Sequence, residues 1–269
     1  MINSITLPEK GMVLDIGCGT GYPAMELLEK SENTNVRIIA IDYSSPLLDI
    51  ARKKAGGKSG RKVFFRTEDA SDGLSFADEV YDITYSNLAL PELGEMEFHL
   101  NEFKRVTSLG GQVAFTLPVH GTWREFFDIF RDVLTKKDKY DVLKSLEEYI
   151  TQKLPETDTV VETMKKCGLK NIKVEKKSYE LLFKSAREFF FAPVIEYGPL
   201  GEWKGIISDP GEMKELFMDI KKSIDTLFNG LIFSVSIEAA CFMGTRPEEE
   251  EEIEEITLDE DDIEVIVDE

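Results

Sequence analysis

Hydrophobic and polar positions in the first half of the chain alternate between short apolar runs and amphipathic segments. Short apolar runs are typical of buried strands, whereas apolar side chains at three- and four-residue intervals are typical of helices. Strands are therefore predicted at 13–16, 36–42, 63–67, 81–87 and 112–117. Helices are predicted at 23–30, 44–55 and 95–109, and Gly110 and Gly111 are expected to end the last of them.

The second half of the chain is predicted to be mainly helical. Helical patterns cover 123–167 and 185–227, and strands are predicted at 171–176 and 231–243. We interpret the helical stretches as insertions, at about 121–167 and 185–228, in one domain that runs from residue 1 to 246. The second insertion is rich in aromatic side chains, which can form core and also wall an apolar substrate pocket: Phe189, Phe190, Phe191, Tyr197 and Trp203.

Charge is distributed very unevenly along the 269 residues. The formal net charge is −20, but residues 248–269 contain fourteen acidic and no basic residues. The remainder holds 32 basic and 38 acidic residues, a net charge of −6. Nucleic acid as a substrate is disfavoured, because phosphate binding needs clustered Lys and Arg. The same argument disfavours binding to an anionic membrane surface.

The cysteines and the hydropathy pattern indicate a soluble cytoplasmic protein. Cys18, Cys167 and Cys241 lie far apart with no paired spacing, so no metal site or disulfide framework is expected. The chain has no recognisable signal peptide, and no apolar run reaches the length that a membrane span needs.

A glycine-rich stretch follows the first predicted strand. Asp15 ends an apolar run, and Gly17, Gly19 and Gly21 come next at alternating positions. The dinucleotide-binding fingerprint asks for glycine at its sixth position, which is Tyr22 here. The carboxylate of Asp15 would also repel a pyrophosphate, whereas it would favour a cationic ligand. The stretch therefore predicts a strand, a tight turn and a helix that bind a cation rather than a nicotinamide or flavin cofactor.

This stretch resembles the first motif of the class I S-adenosylmethionine-dependent methyltransferases, acid-x-Gly-x-Gly-x-Gly. Later segments fit the same family: Asp42 ends the second strand 21 residues beyond Gly21, and Arg105 precedes a double glycine. The insertion before the last strand is similar to those of type 11 and of quinone- and biotin-pathway methyltransferases. The resemblance implies an α/β fold with a doubly wound, seven-stranded, mostly parallel sheet (Rossmann-like), its last strand antiparallel, with helical insertions.

The resemblance also implies a set of residues that bind S-adenosylmethionine. Asp15 and the turn that contains Gly17, Cys18 and Gly19 would surround the methionine part of the cofactor. Asp42, with Tyr43 beside it, would accept hydrogen bonds from the ribose hydroxyls. The remaining predicted site residues are Asp69, or Glu68 as the alternative, and Ala70 beside the adenine, and Ser86 and Asn87 at the carboxyl edge of the sheet.

The expected reaction is methyl transfer to a small-molecule acceptor. His120 follows the fifth strand and is the candidate for a catalytic base, although an ordinary loop residue is the preferred interpretation. Two other functions stay open: a non-catalytic regulator that binds S-adenosylmethionine, and a nucleotide-binding oxidoreductase.

The composition changes abruptly after residue 246. Residues 247–269 are predicted to form a disordered, solvated acidic tail, which could recruit a protein partner. Its last third alternates apolar and acidic residues, and could instead add as a strand to the sheet edge of a partner.

Overall fold

A computed structural model describes residues 1–31, 34–248 and, for the backbone, 264–267. The chain divides into two compact units. The first contains 1–117, 157–176 and 240–269, and the second contains 118–156 and 177–239. The sequence predicts a first insertion at about 121–167, and within that range the helix at 157–166 belongs to the first unit.

The strands are β1 (Lys10–Ile16), β2 (Asn35–Asp42), β3 (Val63–Thr67), β4 (Tyr81–Asn87), β5 (Thr107–Pro118), β6 (Lys170–Phe183), β7 (Phe233–Thr245) and β8 (Glu264–Val267). They form one sheet in the order β3-β2-β1-β4-β5-β7-β6-β8. Parallel pairing joins β1 to β2 and β4, β2 to β3, and β4 to β5. The class predicted from the sequence, a doubly wound and mostly parallel α/β sheet, is confirmed, and β8 is an eighth strand beyond the seven predicted.

Helices connect these strands and also make up much of the second unit. In chain order they are α1 (Ala24–Lys30), α2 (Ser45–Ala55), α3 (Leu90–Leu93), α4 (Met96–Val106), α5 (Arg124–Lys136), α6 (Tyr140–Lys153), α7 (Thr157–Lys166), α8 (Ala186–Phe190), α9 (Pro193–Glu196), α10 (Leu200–Gly205) and α11 (Pro210–Leu227).

The boundary between α4 and β5 differs from the sequence prediction. The helix ends at Val106 rather than at residue 109, and the double glycine lies inside β5. Arg246 contributes to the early end, because its guanidinium donates hydrogen bonds to the carbonyls of Lys104 (3.2 Å), Arg105 (3.0 Å) and Thr107 (2.8 Å). The amides of Glu79 and Val80 also donate to the carbonyls of Arg105 and Val106, both at 3.0 Å. A side chain about 140 positions away thus satisfies carbonyls that a continuing helix would have used.

Each unit has its own hydrophobic core. In the first unit, apolar side chains of β1, β2 and β4 pack with those of α1 and α2. In the second, Trp203 is fully buried and stacks on Phe126 with ring centroids 4.3 Å apart. Phe189 lies parallel to Trp203 at 6.1 Å. Phe189 and Trp203 of the predicted second insertion therefore contribute core, as one of the two interpretations expected, whereas Phe191 and Tyr197 are exposed.

Part of the acidic tail forms a strand. Glu264–Val267 pairs in parallel with β6, with Glu264 opposite Lys173 and Val267 opposite Lys176. The tail was predicted to be disordered, or to pair with the sheet of a partner, whereas these four residues extend the sheet of their own chain. The rest of that prediction, for 249–263 and 268–269, lies outside the described residues.

Candidate ligand site at the carboxyl edge of the sheet

The turn between β1 and α1 is tightly held and open at one position. The amides of Gly17 and Cys18 both donate to the carbonyl of Ile41 at 2.9 Å, which ties the turn to β2. Gly17 (φ +72°) and Gly19 (φ +51°) adopt the left-handed conformation that glycine tolerates best. A Cβ on Gly17 would collide with the Cβ of Ala89, whereas a Cβ on Gly19 would meet nothing within 4 Å. Free space therefore begins at the position that a Cβ on Gly19 would occupy.

Asp42 holds the same turn from the end of β2. Its carboxylate accepts from the amide of Gly19 and from the amide of Ser44, both at 2.8 Å. The residue is 6% exposed. A carboxylate offers about four acceptor positions, so two amide donors leave capacity for hydroxyl groups of a ligand.

Asp15 is a fully buried carboxyl group without a hydrogen-bond partner among the described residues. It lies in β1 opposite Ala40 of β2 and Tyr85 of β4. Burial raises the pKa of Asp15 to about 8, the nearby Tyr85 hydroxyl acts against that rise, and the charge of Asp42 adds to it. A buried polar group in this state is costly unless something else pairs with it. A cation beside Asp15 would supply that partner and restore the charged form.

The end of β4 contributes two more unpaired polar groups. The side-chain oxygens of Tyr85 and Ser86 are buried and have no hydrogen-bond partner within the described ranges. Burial is also the main reason why the pKa of Tyr85 lies well above its usual value. Asn87, the last residue of the strand, accepts from the hydroxyl of Thr116 at 2.9 Å. Sequence reasoning missed Tyr85, although a tyrosine next to a buried strand end was a usable signal.

The two acids after β3 have different environments. Glu68 accepts from the amide of Ser75 at 2.9 Å and forms a 3.1 Å ion pair with Arg66. Asp69 is exposed and accepts from the amide of Ser71 at 3.0 Å, a bond that lowers the pKa of Asp69. Of the two alternatives, Asp69 is therefore the carboxylate that has no ion pair with another described residue. Its neighbour Ala70 is buried.

The strand order determines which predicted residues lie near one another. Because β3, β2, β1 and β4 are adjacent and parallel, their carboxyl ends lie side by side at one edge. The predicted residues at these ends are Asp69, Asp42, Asp15 and Ser86. Tyr43 is 75% exposed there, while Cys18 is buried, and burial together with Asp15 and Asp42 raises the pKa of its thiol. Cys18 is therefore not a reactive thiolate.

His120 lies in the second unit, on an exposed loop after β5. Its Nδ1 is 2.9 Å from Glu156 Oε1, and its side chain is 58% exposed. Its backbone amide donates to the carbonyl of Pro155 at 3.1 Å. This environment fits an ordinary loop residue, and a catalytic role for His120 stays a prediction. His99, in contrast, is buried, with Nε2 3.0 Å from the carbonyl of Leu93.

The described ranges lack two features that would point to other functions. They contain no cluster of three or more His, Cys, Asp or Glu side chains that could hold a metal ion. No helix in them is long and apolar enough to cross a bilayer.

The fold and the candidate site define an open α/β protein, a class of protein whose ligands bind at the carboxyl ends of the parallel strands. Residues 8–187 match the family described as "Methyltransferase domain", and because this match covers more than half of the chain, the chain belongs to that family. The fold is the Rossmann-like methyltransferase fold that the resemblance implied.

Two curated relatives and one solved structure are similar to this chain. A malonyl-[acyl-carrier protein] O-methyltransferase of Hamiltonella defensa is 30% identical over 125 residues, which cover 46% of this chain and 45% of that protein. A demethylmenaquinone methyltransferase of Thermobifida fusca is 31% identical over 102 residues, covering 38% and 41%. The YcgJ protein of Bacillus subtilis superposes with a TM-score of 0.58 at 17% identity, covering 93% and 97%. The chain thus matches less than half the length of these two relatives.

Proposed function

We propose that this protein is an S-adenosylmethionine-dependent methyltransferase that acts on a small-molecule acceptor. Membership of the methyltransferase domain family supports the class of reaction. The single observation that carries the choice of cofactor is Asp15, a fully buried carboxyl group with no partner among the described residues. The ammonium group of S-adenosylmethionine would pair with the ionised form of Asp15 and favour it, whereas a nucleotide pyrophosphate would oppose that ionisation and gain no ion pair.

The neighbouring residues fit the other parts of the cofactor. Free space above Gly19 admits its methionine part, and Asp42 has acceptor capacity left for the ribose hydroxyls. The exposed carboxylate of Asp69 can accept from the amino group of adenine. The bound cofactor would supply an electrophilic methyl group on a sulfonium.

The chain itself would contribute mainly by binding and orienting the reactants. A donor and an acceptor held in line at short distance react without further assistance when the acceptor is already nucleophilic. His120 could take a proton from a less nucleophilic acceptor, since Glu156 would stabilise the imidazolium that forms.

The nature of the acceptor is proposed from charge and from the relatives. Outside residues 248–269 the net charge is −6, which is unfavourable for a polyanionic acceptor such as nucleic acid. The named relatives methylate malonyl-[acyl-carrier protein] and demethylmenaquinone, so their acceptor groups are small organic molecules, free or attached to a carrier.

Localisation and the tail complete the proposal. Three buried free cysteines favour the reducing cytoplasm.

We also retain one catalytic domain over 1–246, with the acidic segment 247–269 as an appendage that can recruit a protein partner.

Calorimetry and a transfer assay test this function. The full chain is expected to bind S-adenosylhomocysteine with micromolar affinity and to show no heat with NADH. Binding of NADH instead would favour an oxidoreductase and overturn the proposal. Incubation with methyl-labelled cofactor and a metabolite extract should transfer label into small molecules. Cofactor binding without any transfer would leave a regulatory protein as the better explanation.

A further inference from the structure

The second unit contains an apolar groove with basic side chains at its rim. Its volume is about 510 Å³, within the range of roughly 300–1,000 Å³ that is usual for small-molecule sites. Apolar side chains from α8, α10 and α11 line it, among them Phe190, Leu200, Phe217 and Met218. Every lining residue belongs to the second unit, whereas all the cofactor-binding residues proposed above belong to the first.

Parts of this groove are unusually exposed for apolar side chains. Phe191 is 66% exposed and Met218 is 58% exposed. Large apolar side chains that lie together at the surface mark binding sites more often than isolated ones do. The groove therefore offers an apolar surface to a ligand.

The lysines of the groove differ from other lysines of the same unit. Lys136, Lys137 and Lys139 form ion pairs with carboxylates. Lys204 and Lys214 are exposed and have no carboxylate partner among the described residues, although Lys204 lies 6.0 Å from the ring centroid of Phe217. The chain has 52 acidic and 32 basic residues, so most lysines can find a carboxylate partner. Two lysines without such a partner among the described residues, beside one apolar surface, distinguish this groove.

Two other charged groups line the groove. Lys221 is paired with Asp225 at 2.6 Å, and Glu196 is the only acidic residue among the described residues that line the groove. Lys204 and Lys214 therefore exceed Glu196 by one positive charge. An anionic head group would pair with the two ammonium groups, while an attached alkyl chain would cover the apolar side chains.

From this geometry we propose that the groove binds a soluble anionic amphiphile, a monomeric carboxylate with an unbranched alkyl chain. Its carboxylate would lie between Lys204 and Lys214, and its chain would contact Phe217 and Met218. The proposal does not depend on methyl transfer, since none of these residues belongs to the proposed cofactor site.

Calorimetric titration of the full chain with decanoate, below its micelle concentration, tests the proposal. One molecule is expected to bind per chain, and butyrate and decyltrimethylammonium are expected to bind at least tenfold more weakly. The double variant Lys204→Gln/Lys214→Gln should lose at least tenfold in affinity for decanoate, and Met218→Gln should also weaken binding. Lys222→Gln removes an exposed lysine outside the groove, and is expected to leave the affinity unchanged.

Several results would overturn the proposal. Absence of decanoate binding would do so, as would equal affinity in the double variant and the Lys222→Gln control. Equally tight binding of decyltrimethylammonium would show that charge plays no part. Co-sedimentation with phosphatidylglycerol vesicles without binding of monomeric decanoate would identify a membrane surface instead. The substituted side chains of the double variant and its control are exposed, so their melting temperatures are expected to be unchanged. That measurement would show that these variants fold.

Discussion

At the scale of single residues, Asp15 has the most informative environment. It is fully buried, lacks a hydrogen-bond partner among the described residues, and has a pKa of about 8. When such a group ionises, it destabilises the ligand-free protein, and a positively charged ligand that pairs with it binds more tightly. The cost to stability and the gain in binding therefore have the same physical origin.

The first prediction concerns the stability of the Asp15→Asn variant. The pKa of Asp15 is raised on folding, so its favourable contribution is present below the unfolded value of 3.8 and is lost as pH rises towards 8. The variant lacks this loss. The difference in free energy of unfolding, variant minus wild type, should therefore be roughly 2–4 kcal/mol larger at pH 8 than at pH 4. Urea unfolding at both pH values measures the difference. Substitution of the exposed Asp72 by Asn is the control, and the same pH response in both variants would contradict the prediction.

The second prediction links Asp15 to ligand binding. At pH 7 a carboxyl group with a pKa of about 8 is mostly protonated, and pairing with the ammonium group of S-adenosylhomocysteine would ionise it. Binding should therefore release nearly one proton, and the affinity should rise up to tenfold per pH unit between about pH 6 and 8. Titrations in buffers of different ionisation enthalpy count the proton. Asp15→Asn should abolish the release, whereas the same proton count in that variant would separate Asp15 from the ligand.

At the scale of elements, the turn from β1 to α1 is determined by neighbouring residues, whereas the end of α4 depends on a distant side chain. The turn follows from local residues, because three alternating glycines reach positive φ angles of +72°, +51° and +91°. The end of α4 does not, because the guanidinium of Arg246 satisfies the carbonyls there. Local signals therefore located the turn of the candidate site but misplaced the end of the helix.

The third prediction uses two glycines with matched backbones. Gly19 (φ +51°) and Gly60 (φ +74°) both have left-handed conformations, and a Cβ on either would meet nothing within 4 Å. Gly19→Val and Gly60→Val should therefore lower stability by similar amounts, on the order of 1–2 kcal/mol. Gly19→Val alone should abolish binding of S-adenosylhomocysteine, because its side chain fills the free space above the turn. Unchanged calorimetric affinity in Gly19→Val would show that the ligand lies elsewhere.

At the scale of the whole molecule, the chain combines two units that each have their own core with a highly acidic C-terminal segment. The segment is not separate from the fold, since Glu264–Val267 pairs in parallel with β6. Backbone pairing of this kind covers a strand edge that would otherwise be open to other chains. The sequence favoured a disordered tail there, with a strand on the sheet of a partner as the alternative, and it did not indicate pairing within the same chain.

The fourth prediction concerns truncation after residue 248. Deletion of 249–269 removes thirteen acidic residues and β8, and changes the formal net charge from −20 to −7. The amides of Lys173–Lys176 should then exchange hydrogen faster, while those of β1 should keep their protection. Mass spectrometry of deuterated peptides measures both segments. Equal protection of Lys173–Lys176 in the full and truncated chains would contradict the pairing of β8 with β6.

The local sequence pattern determined the strands β1 to β5, the glycine turn and the acids at the strand ends, because periodicity and backbone preference act over a few residues. The resemblance to a methyltransferase family, which rests on those residues and their spacing, implied the fold class and most of the candidate site. Tertiary structure alone decided that Asp15 is buried without a partner, that Asp42 holds the amide of Gly19, and that Arg246 contributes to the end of α4. These features depend on contacts between distant segments, and burial, pKa and pairing with β8 arise only when the sheet assembles.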